Sequence, residues 1–269
     1  MPVIVDNNIN LDKTKEYRLS IQSNLSGFSF CITDPVVSKC LYLRKSDFSL
    51  ITDGKDEYLK KCSRLVESVP MLSYKYKEVS VITDTEKYTL VPSLMVKENE
   101  ILGNLSRLFT IEDDEEVSHK IFEELNLSIL FAANSTFMNI IKRVQPEFDN
   151  VPSAYLVLKK LLTRKDHNKL YLSYVKGRAD VAVMSGSHLF LCNSYSVAEF
   201  TSALYFALLA LKQSYINPEN TTVFIHGDIF VPEIQLLSKY FPMIKYFRSR
   251  KIPLGNSSLE MKYSLLTIL

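Results

Sequence analysis

Short apolar and alternating stretches give way to three-to-four spacing and back again, twice along the chain. Leu19 to Leu25 alternates weakly, Gly27 offers a turn, and Phe28 to Thr33 is rich in β-formers, so a hairpin is predicted. Asp34-Pro35 breaks that run, and Lys39 to Leu43 predicts a third strand. Tyr58, Leu59, Cys62, Leu65, Val66 and Val69 then mark one apolar helix face, which Pro70 stops. Val79 to Thr83 predicts a fourth strand, so the first segment reads βββαβ.

The middle is less regular. Val91-Pro92 is expected to begin a helical stretch, and Glu98 to Phe109 a second helix. The five carboxylates Glu112 to Glu116 read as a solvated loop or helix start, because no histidine accompanies them to make a metal site. Leu127 to Ala133 is an apolar run of strand length, with Asn134 or Ser135 placed to cap a helix through Val144. Phe148 to Val151 predicts a short strand, and Pro152-Ser153 opens a helix through Leu162.

The stretch from Lys169 to Gln213 repeats the opening order. Leu170 to Val175 and Asp180 to Met184 flank a turn at Gly177, and Leu189 to Cys192, apolar on both faces, reads as a central strand. Ser196 and Glu199 have capping-box spacing ahead of a nearly buried helix carrying Phe200, Leu204, Ala207 and Leu211. Thr222 to Ile225, a helix from about Pro232 to Tyr240, and Ile244 to Phe247 complete the segment, and Met261 to Leu269 is apolar enough to dock. Gly27 and Gly177 fall in equivalent turns of the two copies. The expected organisation is a first lobe over 1–110, on which the C-terminal tail can pack back, a connecting subdomain over 111–165, and a second lobe over 166–269.

Composition narrows the choice of chemistry. Seven glycines in 269 residues argue against several Gly-rich phosphate loops, and a net charge of +2 provides no whole-chain footprint for nucleic acid. The four cysteines have no CxxC spacing and read as buried thiols rather than a zinc site. The longest apolar run, Ala203 to Leu211, falls short of the roughly 20 residues of a membrane span. The N-terminus has no signal-peptide pattern, so a cytoplasmic location is expected.

A duplicated βββαβ unit resembles the actin-like ATPase superfamily, whose halves are ribonuclease H-like domains. The second-half phosphate hairpin of that superfamily reads Asp-x-Gly-Gly-Gly-x-x-Asp before an apolar run; the positions here are Ser173 to Asp180, followed by Val181-Ala182-Val183. LFLCNSYSVAEFTSALYFALLAL is similar to an uncharacterised Bacteroidota-type family of this fold, and Leu127 to Leu162 is similar to the pilus-assembly and cell-division branch. The resemblance implies that the hairpin's leading Asp should position magnesium and that its glycines should approach phosphate. Ser173 replaces that Asp, and Val175 and Lys176 replace two glycines. Ser23 and Asn24 stand near the acidic position of the first hairpin, and His226 replaces the first glycine of the adenosine motif at Val223 to Ile229.

The leading expectation is therefore an actin-like protein without ATPase residues that binds or scaffolds a protein partner, with self-association a further option. No catalytic or metal residue is assigned. The alternative is a nucleotide switch in which Gly27, Gly177, Asp180 and Gly227 contact ATP with magnesium. Asp180 reads first as a turn cap, and His226-Gly227-Asp228 as a strand-end turn. Nuclease chemistry needs carboxylates on the first strand, and Leu19 to Leu25 and Leu170 to Val175 have none. A third class, nucleic-acid binding, rests on Lys159, Lys160, Arg164, Lys165 and Lys169 and on Arg248, Arg250 and Lys251, read as solvated surface.

Overall fold

The computed structural model describes residues 2–6, 9–24, 27–175, 177–249, 254, 259 and 262–268. Leu25, Lys176, Arg250, Lys251, Met261 and Leu269, named above, lie outside the described residues. The chain divides into two units, Met1–Phe122 with Asn126–Ser153, and Glu123–Leu125 with Ala154–Ile268.

In the first unit, β1 (Pro2–Val5), β2 (Arg18–Asn24), β3 (Gly27–Asp34) and β4 (Lys39–Lys45) precede a short helix, α1 (Leu50–Asp53), and a longer one, α2 (Lys55–Ser68). The Ser49 hydroxyl caps α1 by accepting from the Thr52 N–H at 3.3 Å. α2 buries Tyr58, Cys62, Leu65 and Val66, the face its spacing predicts, and stops before Pro70. β5 (Glu78–Thr83) then pairs in parallel with β2, and β9 (Asp149–Pro152) in parallel with β5. The sheet order is β1-β4-β3-β2-β5-β9. Between β5 and β9 lie β6 (Tyr88–Pro92), α3 (Ile101–Ser106), β7 (Glu115–Phe122), β8 (Leu127–Asn134) and α4 (Ser135–Lys142). Their strands form a separate sheet, β6-β8-β7, against which Ile101 and Leu105 of α3 pack.

The second unit follows α5 (Ser153–Leu162) with β10 (Asn168–Val175), β11 (Gly177–Ser185), β12 (His188–Val197), α6 (Phe200–Gln213), β13 (Thr221–Gly227), α7 (Val231–Leu237) and β14 (Met243–Tyr246). The sheet order β12-β11-β10-β13-β14 reproduces β4-β3-β2-β5-β9 strand for strand. The fold is thus mixed α/β with duplicated ribonuclease H-like βββαβ units, as the resemblance implies. One core runs from Leu170, Leu172, Val181 and Val183 through Phe200, Ala203, Ala207 and Leu211 to Val223 and Ile225. Each fully buried aliphatic side chain there contributes about 1.5–3 kcal/mol relative to exposure. No helix among the described residues is long and apolar enough to cross a membrane.

Several local expectations are corrected. Val91-Pro92 ends a strand instead of opening a helix, because Tyr88 to Pro92 pairs with Leu127 to Phe131 of β8. Glu98 to Glu100 is a 3-10 turn, and the helix that follows covers only Ile101–Ser106. The acidic run leads into β7, whose alternating pairing with β8 overrides the poor strand propensity of Glu115 and Glu116. β12 lies at the edge of its sheet and not at its centre. Ser196 belongs to β12, and Glu199 takes the cap position of α6 without a side-chain cap bond. Counted from the turns, Gly27 stands opposite Asn24 and level with Arg178, one place out of step with Gly177. The cluster read as solvated surface is partly interior: the Arg164 guanidinium donates to the Arg248 carbonyl at 2.6 Å, and Lys169, 2% exposed, donates to that of Gly186 at 2.6 Å. The C-terminal residues Ser264 to Thr267 are buried, with the Ser249 hydroxyl donating to the Thr267 carbonyl at 3.2 Å.

Two glycines separate backbone strain from steric exclusion. Gly227 has φ +84°, and a Cβ there would sit 2.4 Å from the Tyr174 carbonyl oxygen, which also accepts from the Asp228 N–H at 2.6 Å. Gly177 has φ +97° but faces open space. In urea denaturation Gly227→Ala is expected to lose about 3 kcal/mol and Gly177→Ala about 1 kcal/mol, strain alone. Equal losses would contradict the close approach of β13 to β10.

Candidate functional site

In the first unit, the parallel neighbours β2 and β5 end side by side, with β2 flanked on its other side by the antiparallel β3. Such a reversal opens a crevice beyond the carboxyl ends of the strands, where ligands collect in α/β folds. A cavity of about 480 Å³ occupies this place, within the usual range for a ligand pocket. Leu50, Tyr58 and Leu59 from the helices, Ile82 from β5, Ala132 from β8, and Phe137 and Met138 from α4 give it an apolar lining.

The mouth is polar and tightly paired. The Lys55 ammonium meets Asp114 at 2.6 Å, and Asn134 donates to the other Asp114 oxygen at 2.7 Å while its own carbonyl caps α4 by accepting from the Phe137 N–H at 2.8 Å. The Lys87 ammonium lies 2.7 Å from Glu115 and 3.8 Å from Glu112, and donates to the Thr110 carbonyl at 2.8 Å. The bond from Lys55 holds the Asp114 carboxyl below its ordinary value, and Lys55 is correspondingly raised. Ser23 and Tyr58 share a hydrogen bond at 2.7 Å on the floor, and burial pushes the Tyr58 phenol well above its ordinary value. These groups are suited to binding: the phenol stays protonated and the carboxylates Asp114 and Glu115 are matched by ammoniums. A second depression of about 750 Å³ shares Lys55, Leu59 and Glu112 and continues along α2 and α4 past Ser63, Ile140 and Arg143.

Of the residues singled out from the sequence, Ser23 and Asn24 of the first hairpin and Glu112 and Glu115 of the acidic run line this cavity, and the remaining hairpin residues sit elsewhere. Counting back from the hairpin turns puts Gln22, paired with Ser29, level with Ser173, paired with Asp180. Both are buried and uncharged at physiological pH. Ser173 Oγ lies 3.5 Å from His226 Nδ1, and the imidazole packs beside Tyr171 and Phe247. Asp180 accepts from Arg178 at 3.2 Å and from the Ser194 hydroxyl at 2.6 Å, joining β11 to β12. Gly177, Asp180 and Gly227 belong to the second unit and Gly27 to the first, where a Cβ would meet Ser46 Oγ and the Phe48 carbonyl at 2.6 Å. Sequence reasoning missed Lys55, Lys87 and the pairing of the acidic run; the signal was there, since both lysines flank predicted elements and await anionic partners. Among the described residues no group of three or more His, Cys, Asp or Glu is arranged to hold a metal ion.

Duplicated units with a single insertion ahead of the fifth strand of the first define an actin-like ATPase fold. A Bacteroides thetaiotaomicron VPI-5482 protein with that fold and unknown function is similar over 96% of this chain and 98% of its own, with TM-score 0.78 and 22% identity. The PilM–PilN type IV pilus biogenesis complex aligns over 94% of this chain and 97% of that one, with TM-score 0.58 and 12% identity. The ethanolamine utilization protein EutJ from Carboxydothermus hydrogenoformans aligns over 99% and 92%, with TM-score 0.50 and 8% identity. Residues 6–244 match the family described as "Protein of unknown function (DUF3822)", and the chain belongs to it. No curated protein matches the chain.

The Asp114–Lys55 pair makes a pH prediction. A carboxyl whose folded value is lowered adds stability above its unfolded value, near the ordinary 3.8, and loses it as pH falls through the lowered folded value. Asp114→Asn is expected to cost up to about 1 kcal/mol at neutral pH, since the pair is half-exposed. The difference from the unaltered protein, followed by denaturant unfolding, should shrink as the pH drops below 3.8. A gap that stays constant with pH would show that the pairing is not its source.

Proposed function

We propose that this protein is a non-catalytic binding module that receives an extended segment of a partner protein in the first unit. The observation that carries this reading is the cavity at the ends of β2 and β5, apolar within, rimmed by matched charges, and continued by a groove along α2 and α4. An apolar side chain of about Leu or Phe size would enter the cavity, and flanking residues would follow the groove past Leu59. The hairpin positions support the reading, because Gln22 and Ser173 occupy level places where the resemblance requires a magnesium-positioning carboxylate. A protein–protein role also has a precedent in the fold, since the PilM–PilN structure is that of a complex.

The test is a substitution at the shared wall. Leu59 is half-buried and lines both depressions, so Leu59→Arg fills the passage without removing core contacts. A protein that co-purifies with the full chain from its own cells, and binds it directly when purified, is expected to lose affinity at least about tenfold, or 1.4 kcal/mol, toward Leu59→Arg. Undiminished binding by a folded Leu59→Arg variant would remove this cavity from the account.

A further inference from the structure

Open sheets manage their edges with charge, proline or brevity, because an exposed row of N–H and C=O groups is a template for another strand. Among the described edges, all but one follow that rule, and the exception carries only a bulge. β1 begins at Pro2, and β6 ends at Pro92. β7 carries Glu115, Glu116 and Lys120; β9 is four residues long with Asp149 and Pro152; β14 is four residues long with Lys245. β12 is ten residues long, HLFLCNSYSV, with no Asp, Glu, Lys, Arg, Gly or Pro. It pairs with β11 on one side, and no described strand pairs with its other side.

The first unit shows what such an edge accepts. β4 occupies the place in its sheet that β12 occupies in the second, and β1 pairs antiparallel along its outer side. β12 has no such neighbour within the described residues. A bulge at Phe190, between the pairs Val183–Leu191 and Met184–Leu189, leaves that ring 45% exposed and packed edge-on against His188 at 4.6 Å. Behind the strand, Tyr195 stacks on Phe206 of α6 at 4.2 Å, and Tyr205, 60% exposed, packs against Phe206 at 5.5 Å. An uncharged strand flanked by exposed aromatics has the composition of an interface centre.

We propose that β12 is an association edge and that its occupant is β12 of a second copy of this chain, paired antiparallel across a two-fold axis. The missing charge selects this occupant. Two identical strands with no formal charge do not repel when laid together, whereas a foreign strand would be chosen by complementary charges that β12 lacks. A two-fold pairing also closes at β12: each copy satisfies the other's outer backbone groups there, and neither leaves that edge open for further growth. One continuous sheet results, five strands from each copy, with Tyr205 and Phe206 of both copies along the seam. This surface lies in the second unit and is independent of the cavity in the first.

Sedimentation velocity on the full chain across a concentration series tests the proposal. The unaltered protein is expected to be dimeric at micromolar concentration. Asn193→Lys, at an exposed position midway along β12, places like charges across the axis and should weaken the dimer at least about tenfold. Tyr205→Lys, on α6 and outside the sheet, should act in the same direction and decides the matter if Asn193→Lys loses its cooperative melt. Amide exchange over residues 191–195 should slow as the dimer forms. A monomer at all concentrations, or a dimer indifferent to both substitutions, would overturn the assignment.

Discussion

In each βββαβ repeat the first strand pairs in parallel with the fourth, and most of the architecture follows from that pairing. β2 beside β5 and β10 beside β13 each require a crossover through α2 or α6, and in the second unit that crossover buries the apolar face of α6 on the sheet. The same pairing reverses the chain direction across β2, since β3 runs antiparallel on its other side. The crevice left at that reversal becomes a cavity because the inserted strands and α4 wall it in. In the second unit the pairing is so close that Gly227 admits no Cβ against the Tyr174 carbonyl.

The strands of both meanders and the helices α2, α4 and α6 were legible because local pattern and burial agree there. The three-to-four spacing of Tyr58, Cys62, Leu65 and Val66 describes one buried face, and the β-forming run from Leu170 to Ser173 is buried on both faces of its strand. Misreadings fell where pairing partners, and not propensity, decide the outcome. Glu115 and Glu116 become a strand because β8 offers them a ladder, and Val91-Pro92 is held extended by the same strand. Ser196 has the right spacing for a cap but is needed by β11, where it faces Arg178. Leu189 to Cys192 looked central since its apolar residues occupy both faces, yet among the described residues only one side of that strand is paired.

The cavity was less legible than the fold. Its apolar lining includes Leu50, Leu59, Phe137 and Met138, and no local signal in the sequence says that packing leaves room between them. Its rim depends on Lys55 meeting Asp114 across 59 positions and on Lys87 meeting Glu115 across 28. Such long-range pairs leave only unmatched charge in the sequence. By contrast, the hairpin residues that resemblance put forward are largely engaged in holding strands together. Asp180 ties Arg178 to Ser194, and Ser173 faces His226 in a buried aromatic setting.

The role proposed for this actin-like fold is binding without ATP turnover. Steady-state hydrolysis of magnesium-ATP by the purified full chain tests it most directly. Phosphate release indistinguishable from the protein-free background, and unchanged by Asp180→Ala, is expected. Protein-dependent turnover that Asp180→Ala abolishes, while leaving the fold intact, would contradict it.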